Sequence, residues 1–198
     1  MTGDSETHDW LTGRNLVVIS GASGSGKTTV ARALVKRLDL LLSTSATTRR
    51  PRPGETDGAD YHFITLAEFK KRVAAGRFTE WAEVFGNCYG TPVEELERAR
   101  KHGRMLLLEI DVQGGIQIKK KYPEALAILL LAPDGETLCS RLAGRATDAA
   151  AEVRRRLALA CKEIDVARQS GCYDAEVTND DLARAVEEIV SIIQSRRK

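Results

Sequence analysis

Residues Leu16-Val17-Val18-Ile19-Ser20-Gly21-Ala22-Ser23-Gly24-Ser25-Gly26-Lys27-Thr28 decide the fold. The run 16–19 is short, apolar and largely β-branched, which suits a buried strand feeding a glycine turn. Val30, Leu34 and Leu38 then recur at helical spacing, so a helix is expected to follow Lys27 directly. Between strand and helix, residues 21–28 fit G-x-x-x-x-G-K-[ST]. Glycines let consecutive backbone N–H groups converge on one anion, and the helix N-terminus adds partial positive charge. Lys27 can reach the β- and γ-phosphates of a nucleotide, and the Thr28 hydroxyl can ligate Mg²⁺. The plain alternative is a glycine turn that only caps a helix. At usual glycine frequency the pattern arises by chance in roughly one such chain in a hundred, and its placement makes chance rarer. It predicts nucleoside triphosphate binding by Gly21, Ala22, Ser23, Gly24, Ser25, Gly26, Lys27, Thr28 and Thr29, with Thr28 as the metal ligand.

Outward from this stretch, Met105–Ile110 reads as a second apolar strand ending at Asp111. Residues 125–131, fenced by Pro123 and Pro133, read as a third. Leu182, Val186, Ile189, Val190 and Ile193 outline a closing amphipathic helix, with Arg196, Arg197 and Lys198 complementing its dipole. Continuous apolar strands separated by helical patterns predict an α/β fold with a central parallel sheet flanked by helices. Two stretches interrupt the pattern. About 43–92 mixes turn residues, aromatics and a short strand at Phe78–Val84; within it Thr65-Leu66-Ala67-Glu68 is a capping box and Gly76 a helix stop. About 141–165 is helical and carries Arg141, Arg145, Arg154, Arg155 and Arg156.

The chain has 198 residues, 42% of them apolar and 29% charged, so it is globular and needs neither disulfide nor metal staple. Thirty basic and 28 acidic residues leave a net charge of +2, which argues against a dedicated nucleic-acid binder. Cys88, Cys139, Cys161 and Cys172 lack metal-ligand spacing and read as reduced, mostly buried thiols of an intracellular protein. The first thirteen residues hold Asp4, Glu6 and Asp9 and neither Lys nor Arg nor an apolar run before Gly13, unlike a secretory signal. The longest apolar run, 125–132, falls far short of the ~20 residues of a membrane span. A cytoplasmic protein with no membrane partner is expected; oligomeric state has no sequence signal here.

Arg49 and Arg52 lie three apart in a segment that Pro51 and Pro53 keep extended or turning. With the Tyr61 hydroxyl, two guanidinium forks can hold a phosphate. By charge alone a solvated loop is the better reading, because Glu55, Asp57 and Asp60 balance Arg49, Arg50 and Arg52. The pattern S-x-T-T-R-x-x-R-x-G-E-x-x-G-x-D-Y-x-F, matched at every fixed position from Ser45 to Phe63, resembles the signature of the guanylate kinases. The likeness continues through Glu80-Trp81, Gly86-Asn87-Cys88-Tyr89-Gly90-Thr91, Glu109-Ile110-Asp111-Val112-Gln113-Gly114, Arg141-Leu142-Ala143-Gly144-Arg145, Arg156-Leu157 and Asn179-Asp180-Asp181, covering about 15–195.

The resemblance implies a P-loop kinase fold with a small mixed GMP-binding insert and a helical lid. Its parts would be a disordered tail at 1–13, a core at 14–42, 104–140 and 166–198, a GMP-binding region at 43–103 and a lid at 141–165. It implies that Arg49, Arg52, Tyr61 and Tyr89 bind the phosphate of GMP, and that Ser45, Glu80, Thr91 and Asp111 bind guanine. For Glu80 the chemistry agrees: guanine presents N1–H and an amino group side by side, and one carboxylate accepts from both. Adenine puts an acceptor there, leaving buried polar groups unpaired. Thr91 competes with a second role, since Thr-Pro-x-Glu is a good helix start. Asp111 is equally a strand-end helix cap, at the sheet edge where ligands collect.

The resemblance also makes Lys27, Arg49, Arg145 and Arg156 the catalytic cations and adds Arg141 and Arg145 to the ATP contacts, whereas Arg154 and Arg155 read as the wet face of a helix buried through Val153, Leu157 and Ile164. The implied reaction is Mg²⁺-dependent transfer from ATP to GMP, with dGMP an alternate acceptor. The acceptor is already an anionic phosphate oxygen, so no general base is needed, and His8, His62 and His102 are not placed as one. Departures from the family pattern are Ala22 for proline, Cys88 for an aromatic, Ala146 for glycine, and a polar Glu176-Val177-Thr178. The rivals are a binding module with a spent nucleotide site, opposed by the intact Lys27 and Thr28, and a kinase for another phosphate ester, opposed by Glu80, Ser45 and Asp111.

Overall fold

The computed structural model describes residues 10, 12–143 and 150–196. In chain order it begins with β1 (Leu16–Ser20), α1 (Lys27–Arg37), β2 (Leu40–Leu42), β3 (Ala46–Thr47) and β4 (His62–Phe63). Next come α2 (Leu66–Ala74), β5 (Phe78–Val84), β6 (Asn87–Pro92), α3 (Val93–Lys101), β7 (Met105–Ile110) and α4 (Val112–Lys121). The chain ends with β8 (Leu126–Leu131), α5 (Gly135–Ala143), α6 (Ala150–Ser170), β9 (Ala175–Thr178) and α7 (Leu182–Arg196).

β1 lies in the middle of a five-stranded parallel sheet ordered β2-β7-β1-β8-β9. Strand alternation sends Val17 and Ile19 to one face, where they meet Val30 and Leu34 of α1 and Val186, Ile189 and Val190 of α7. Leu16 and Val18 go to the other, against Ala99 of α3 and Ile118 of α4. Both faces are covered, which is why the strands read as unbroken apolar runs. Burying each large side chain contributes about 1.5–3 kcal/mol. The edge strand β9 is the exception: Val177 is fully buried, while Glu176 faces outward and pairs with Arg168. Its edge position accounts for the polar sequence there.

Register levels the strand ends. Ser20 sits opposite both Ile110 and Leu129, so the glycine turn and Asp111 open on the same carboxyl edge of the sheet. That edge is where ligands of open α/β sheets bind.

A second, four-stranded mixed sheet, β4-β3-β6-β5, stands beside this edge. Its own core is Phe69 of α2 stacked on Phe78, ring centroids 4.5 Å apart. Thr65 Oγ1 caps α2 by accepting from the Glu68 amide, and Gly76 ends the helix with a left-handed φ of 64°. Glu68 leaves the reciprocal half of the capping box unmade and pairs with Arg72 instead. Gln117 of α4 bridges to β5 by accepting from the Trp81 amide and donating to its carbonyl. The two sheets are therefore tied at the element that carries Asp111.

Several expectations need correction. Trp10 packs half-buried on the sheet, and the Thr12 carbonyl accepts from the Glu124 amide, so the end of the expected tail is anchored. Thr91 does not cap α3; Pro92 stands at the N-cap with no side-chain cap, and the Thr91 hydroxyl is spent elsewhere. The arginine-rich stretch spans two helices, α5 and α6. Leu157 and Ile164 do face the core, whereas the side chains of Val153 and Arg154 lie outside the described residues. The cysteines are unpaired, but none is fully buried and Cys161 is exposed. No described helix is long and apolar enough to cross a membrane.

Candidate active site

The glycine turn is shaped by what lies behind it. Gly26 has φ 96°, and a Cβ there would come within 2.2 Å of Asn179 Nδ2, so glycine is required on both counts. Asn179, at the end of β9, donates that Nδ2 to the Ser25 carbonyl at 2.8 Å. Arg141 of α5 donates to the Asn179 carbonyl at 3.0 Å, bracing the same bend. The Ser25 carbonyl is thus held to the rear of the turn. Lys27 Nζ arches over the turn, donating to the carbonyls of Gly21 at 2.6 Å and Ala22 at 3.1 Å. Thr28 Oγ1 donates to Glu109 Oε1 on β7 at 2.5 Å. Glu163 of α6 lines the same cleft; burial pushes its carboxyl up, with the Lys27 charge pulling the other way.

Across the cleft, Arg49 makes a two-pronged pair with Glu55, at 3.0 and 2.8 Å. Glu55 also accepts from the Arg52 amide at 2.7 Å, which folds the loop so that both guanidiniums belong to one turn. The Arg49 guanidinium lies 5.5 Å from the Tyr61 ring centroid and 5.8 Å from that of Phe63. Burial, followed by the negative field of Glu109, pushes the Tyr61 hydroxyl up to about 12, so it remains a donor at neutral pH. The loop that charge balance alone assigns to solvent is ordered around Glu55 and lines the cleft.

Glu80 is only 4% exposed. Its position depends on a β-bulge: Phe78 pairs with Pro92 and Glu80 with Thr91, leaving Thr79 as the extra residue. The extra residue lets Phe78 and Trp81, three apart, both reach Phe69, while Glu80 turns toward the cleft. Thr91 donates to Glu80 Oε1 twice, from its amide at 3.0 Å and its hydroxyl at 2.7 Å. Oε2 lies against Gly114, where a Cβ would come within 2.5 Å of it. Burial drives the carboxyl up to about 7, the Thr91 bonds opposing this and the Asp111 charge adding to it. Asp111 itself caps α4, accepting from the Gly114 amide at 3.0 Å.

These groups line one cleft of about 650 Å³. Gly21, Ser23, Gly24, Gly26, Lys27 and Thr28 form one wall; Ser45, Arg49, Arg52, Tyr61 and Tyr89 the other; Glu80 and Asp111 close the inner end. Of the remaining expected residues, Ala22 and Ser25 are buried beneath the turn and Thr29 is exposed on α1. Thr91 is fully buried behind Glu80, and Arg141 supports the turn from behind. Arg156 is half-buried on α6, outside the cleft lining. Arg145 and the neighbouring Ala146 lie outside the described residues.

The family model for guanylate kinase matches residues 13–196. The chain belongs to the guanylate kinase family. It is 46% identical over 180 residues to the guanylate kinase of Rubrobacter xylanophilus, covering 90% of this chain and 93% of that protein. It is 50% identical over 179 residues to that of Syntrophotalea carbinolica, covering 90% and 84%. The crystal structure of guanylate kinase from Anaplasma phagocytophilum superposes with a TM-score of 0.73 at 31% identity, covering 93% of this chain and 86% of that one. The guanylate kinase resemblance and the α/β fold drawn from the motifs are therefore correct.

Three residues of this guanylate kinase cleft, and one behind its turn, are given no role by the sequence. Glu55 enters there as charge balance and as a fixed signature position with no role of its own, yet it organises Arg49 and Arg52. Glu109 hides as the polar residue of an apolar strand, and its signal is that a carboxylate in a buried strand needs a partner. Asn179 is quoted only as part of a block, and Glu163 is masked by the arginines around it.

Proposed function

We infer that this protein transfers the γ-phosphoryl group of ATP to the phosphate of GMP, giving ADP and GDP, and that dGMP, with the same base and phosphate, is a second acceptor. ATP binds by its phosphates at the glycine turn, where the amides, the α1 N-terminus and Lys27 meet the anion. An incoming phosphate takes the Lys27 ammonium from the loop carbonyls. Thr28 and Glu109 bring two hard oxygens together beside the turn, the donor chemistry Mg²⁺ prefers. Among the described residues no three His, Cys, Asp or Glu form a metal cage, which suits an ion that arrives with phosphate and water ligands. Bound there, Mg²⁺ supplies charge neutralisation at the β- and γ-phosphates.

Arg49, Arg52, Tyr61 and Tyr89 bind the GMP phosphate and set its oxygen in line for attack. Ser45, Glu80 and Asp111 read guanine, and Thr91 acts through Glu80 by fixing its orientation. Arg145 and Arg156 supply lid charge to the transferring group, while Arg141 holds the turn in shape. The work is cytoplasmic purine nucleotide metabolism.

The buried Glu80 carboxylate, fixed by Thr91 at the inner end of the cleft that the phosphate turn opens on, carries this reading. A coupled ADP-release assay with ATP, Mg²⁺ and equal GMP, AMP, CMP or UMP tests it. GMP is expected to exceed each of the others by at least about 10³-fold in kcat/KM, since a site built to hydrogen-bond one base leaves buried groups unpaired with another. Equal rates overturn the reading.

Gly114→Ala probes the same pocket without touching a charged group. Alanine usually stabilises a helix over glycine by about 0.8–1.0 kcal/mol. Here its Cβ would come within 2.5 Å of Glu80 Oε2 and must displace the carboxylate. The expected result is a KM for GMP raised about ten- to a hundredfold, as lost hydrogen bonds of about 1.5–3 kcal/mol imply, with the KM for ATP within twofold. Steady-state kinetics in each substrate decide it.

A further inference from the structure

The hairpin joining β5 to β6 turns on two residues, Phe85 and Gly86, since Val84 pairs directly with Asn87. Both have positive φ, 51° at Phe85 and 74° at Gly86, the two-residue turn that favours Asn-Gly. Among the described residues Phe85 is the sole non-glycine residue in this region of backbone space. A bulky side chain there is an outlier that the surrounding structure must offset, and such strain collects where a side chain is needed. Phe85 also gains little by burial, being 43% exposed. It lines the mouth of the cleft, and the Arg155 guanidinium of α6 stands 6.0 Å from its ring centroid. The ring belongs to the sheet that carries Arg49 and Glu80, and the cation to the helix that carries Arg156 and Glu163. The contact spans the cleft.

We propose that Phe85 and Arg155 form a clasp across the cleft mouth, in which the strained hairpin tip of the acceptor sheet holds the lid helix by a cation–π contact, so that acceptor and lid close as one unit. The clasp rests on the phosphotransfer reading above. Phe85 is here a positioning residue: it touches neither reacting phosphate and acts through α6. When the acceptor sheet moves inward, the ring carries Arg155 and with it the lid charges toward the transferring group, and water is shut out. Cation–π contacts strengthen with desolvation, so closing the mouth reinforces the contact that closes it.

The test uses the full-length protein with ATP, Mg²⁺ and GMP. Phe85→Asn places the residue the turn prefers, so the variant is expected to melt as high as the parent or about 2–4 °C higher. Its kcat is expected to fall about three- to tenfold, with the KM for GMP within twofold, because base recognition at Glu80 is untouched. ATP hydrolysed per GDP formed is expected to rise. Arg155→Met should give the same kcat loss, the double variant no more than the larger single loss, and Phe85→Tyr should restore at least half of the parent kcat. Multiplying losses in the double variant, or an unchanged kcat in Phe85→Asn, overturn the clasp while leaving the activity standing. A parent protein that fails to phosphorylate GMP removes the phosphotransfer reading instead, before any variant is compared.

Discussion

Lys27→Met is expected to reduce turnover of ATP and GMP by at least about 10²–10³-fold while the protein still folds. The methionine keeps the length of the stem and removes only the ammonium. Folding loses the two bonds from Nζ to the Gly21 and Ala22 carbonyls, each with water as a substitute, so the cost in stability is about 1 kcal/mol or less. Catalysis loses more. Phosphoryl transfer offers the protein little covalent work, so rate comes from positioning and from charge placed where negative charge gathers. Removing one preorganised donor of that kind costs about 10²–10³ in kcat. ADP release and a thermal melt, run side by side, decide the point. Turnover within tenfold of the parent would remove Lys27 from its assigned role, and a collapsed melt would show that it holds the turn together instead.

The site is legible in the sequence where local chemistry and chain order coincide. The glycine turn is read directly, because strand, turn and helix are consecutive and every donor lies within eight residues. Asp111 is read for the same reason, at the end of an apolar strand whose carboxyl edge the topology exposes. Thr91 is misread because local signals offer it a helix to cap, whereas the bulge at Thr79 brings Glu80 opposite it, and a buried carboxylate outbids a cap that Pro92 can supply without a side chain. Arg155 is exposed, as an arginine on the wet face should be, but its ring contact is not legible. Its helix is amphipathic, so an outward arginine counts as solvated, and no pattern along the chain tells that the tip of a hairpin seventy residues away turns its ring beneath it. Glu109 and Glu163 are silent because what acts on them, the Thr28 hydroxyl and the Lys27 charge, comes from other elements. Pairings made by tertiary packing leave no mark on local spacing.

Glu80→Gln is expected to lower kcat/KM for GMP by about 10³-fold or more and to leave the KM for ATP within twofold. Glutamine keeps the volume and one acceptor, but turns an N–H₂ donor toward guanine donors, and a pocket built to bond one partner pays heavily for a mismatch. The parent adds a pH signature that the variant lacks. Glu80 must be ionised to accept two donors, and burial has raised it to about 7. The KM for GMP is therefore expected to climb about tenfold per unit as pH falls below 7 and to level off above it. Stability without nucleotide moves the opposite way. The folded group holds its proton to a higher pH than the unfolded one, whose ordinary value is 4.5, so its contribution is full below 4.5 and is lost as pH rises through 7. Melting temperatures of parent minus variant should thus fall from pH 5 to pH 8, and saturating GMP should reverse that slope by binding the ionised form. A difference that stays flat with pH, with and without GMP, would mean that Glu80 is not the group that meets the base.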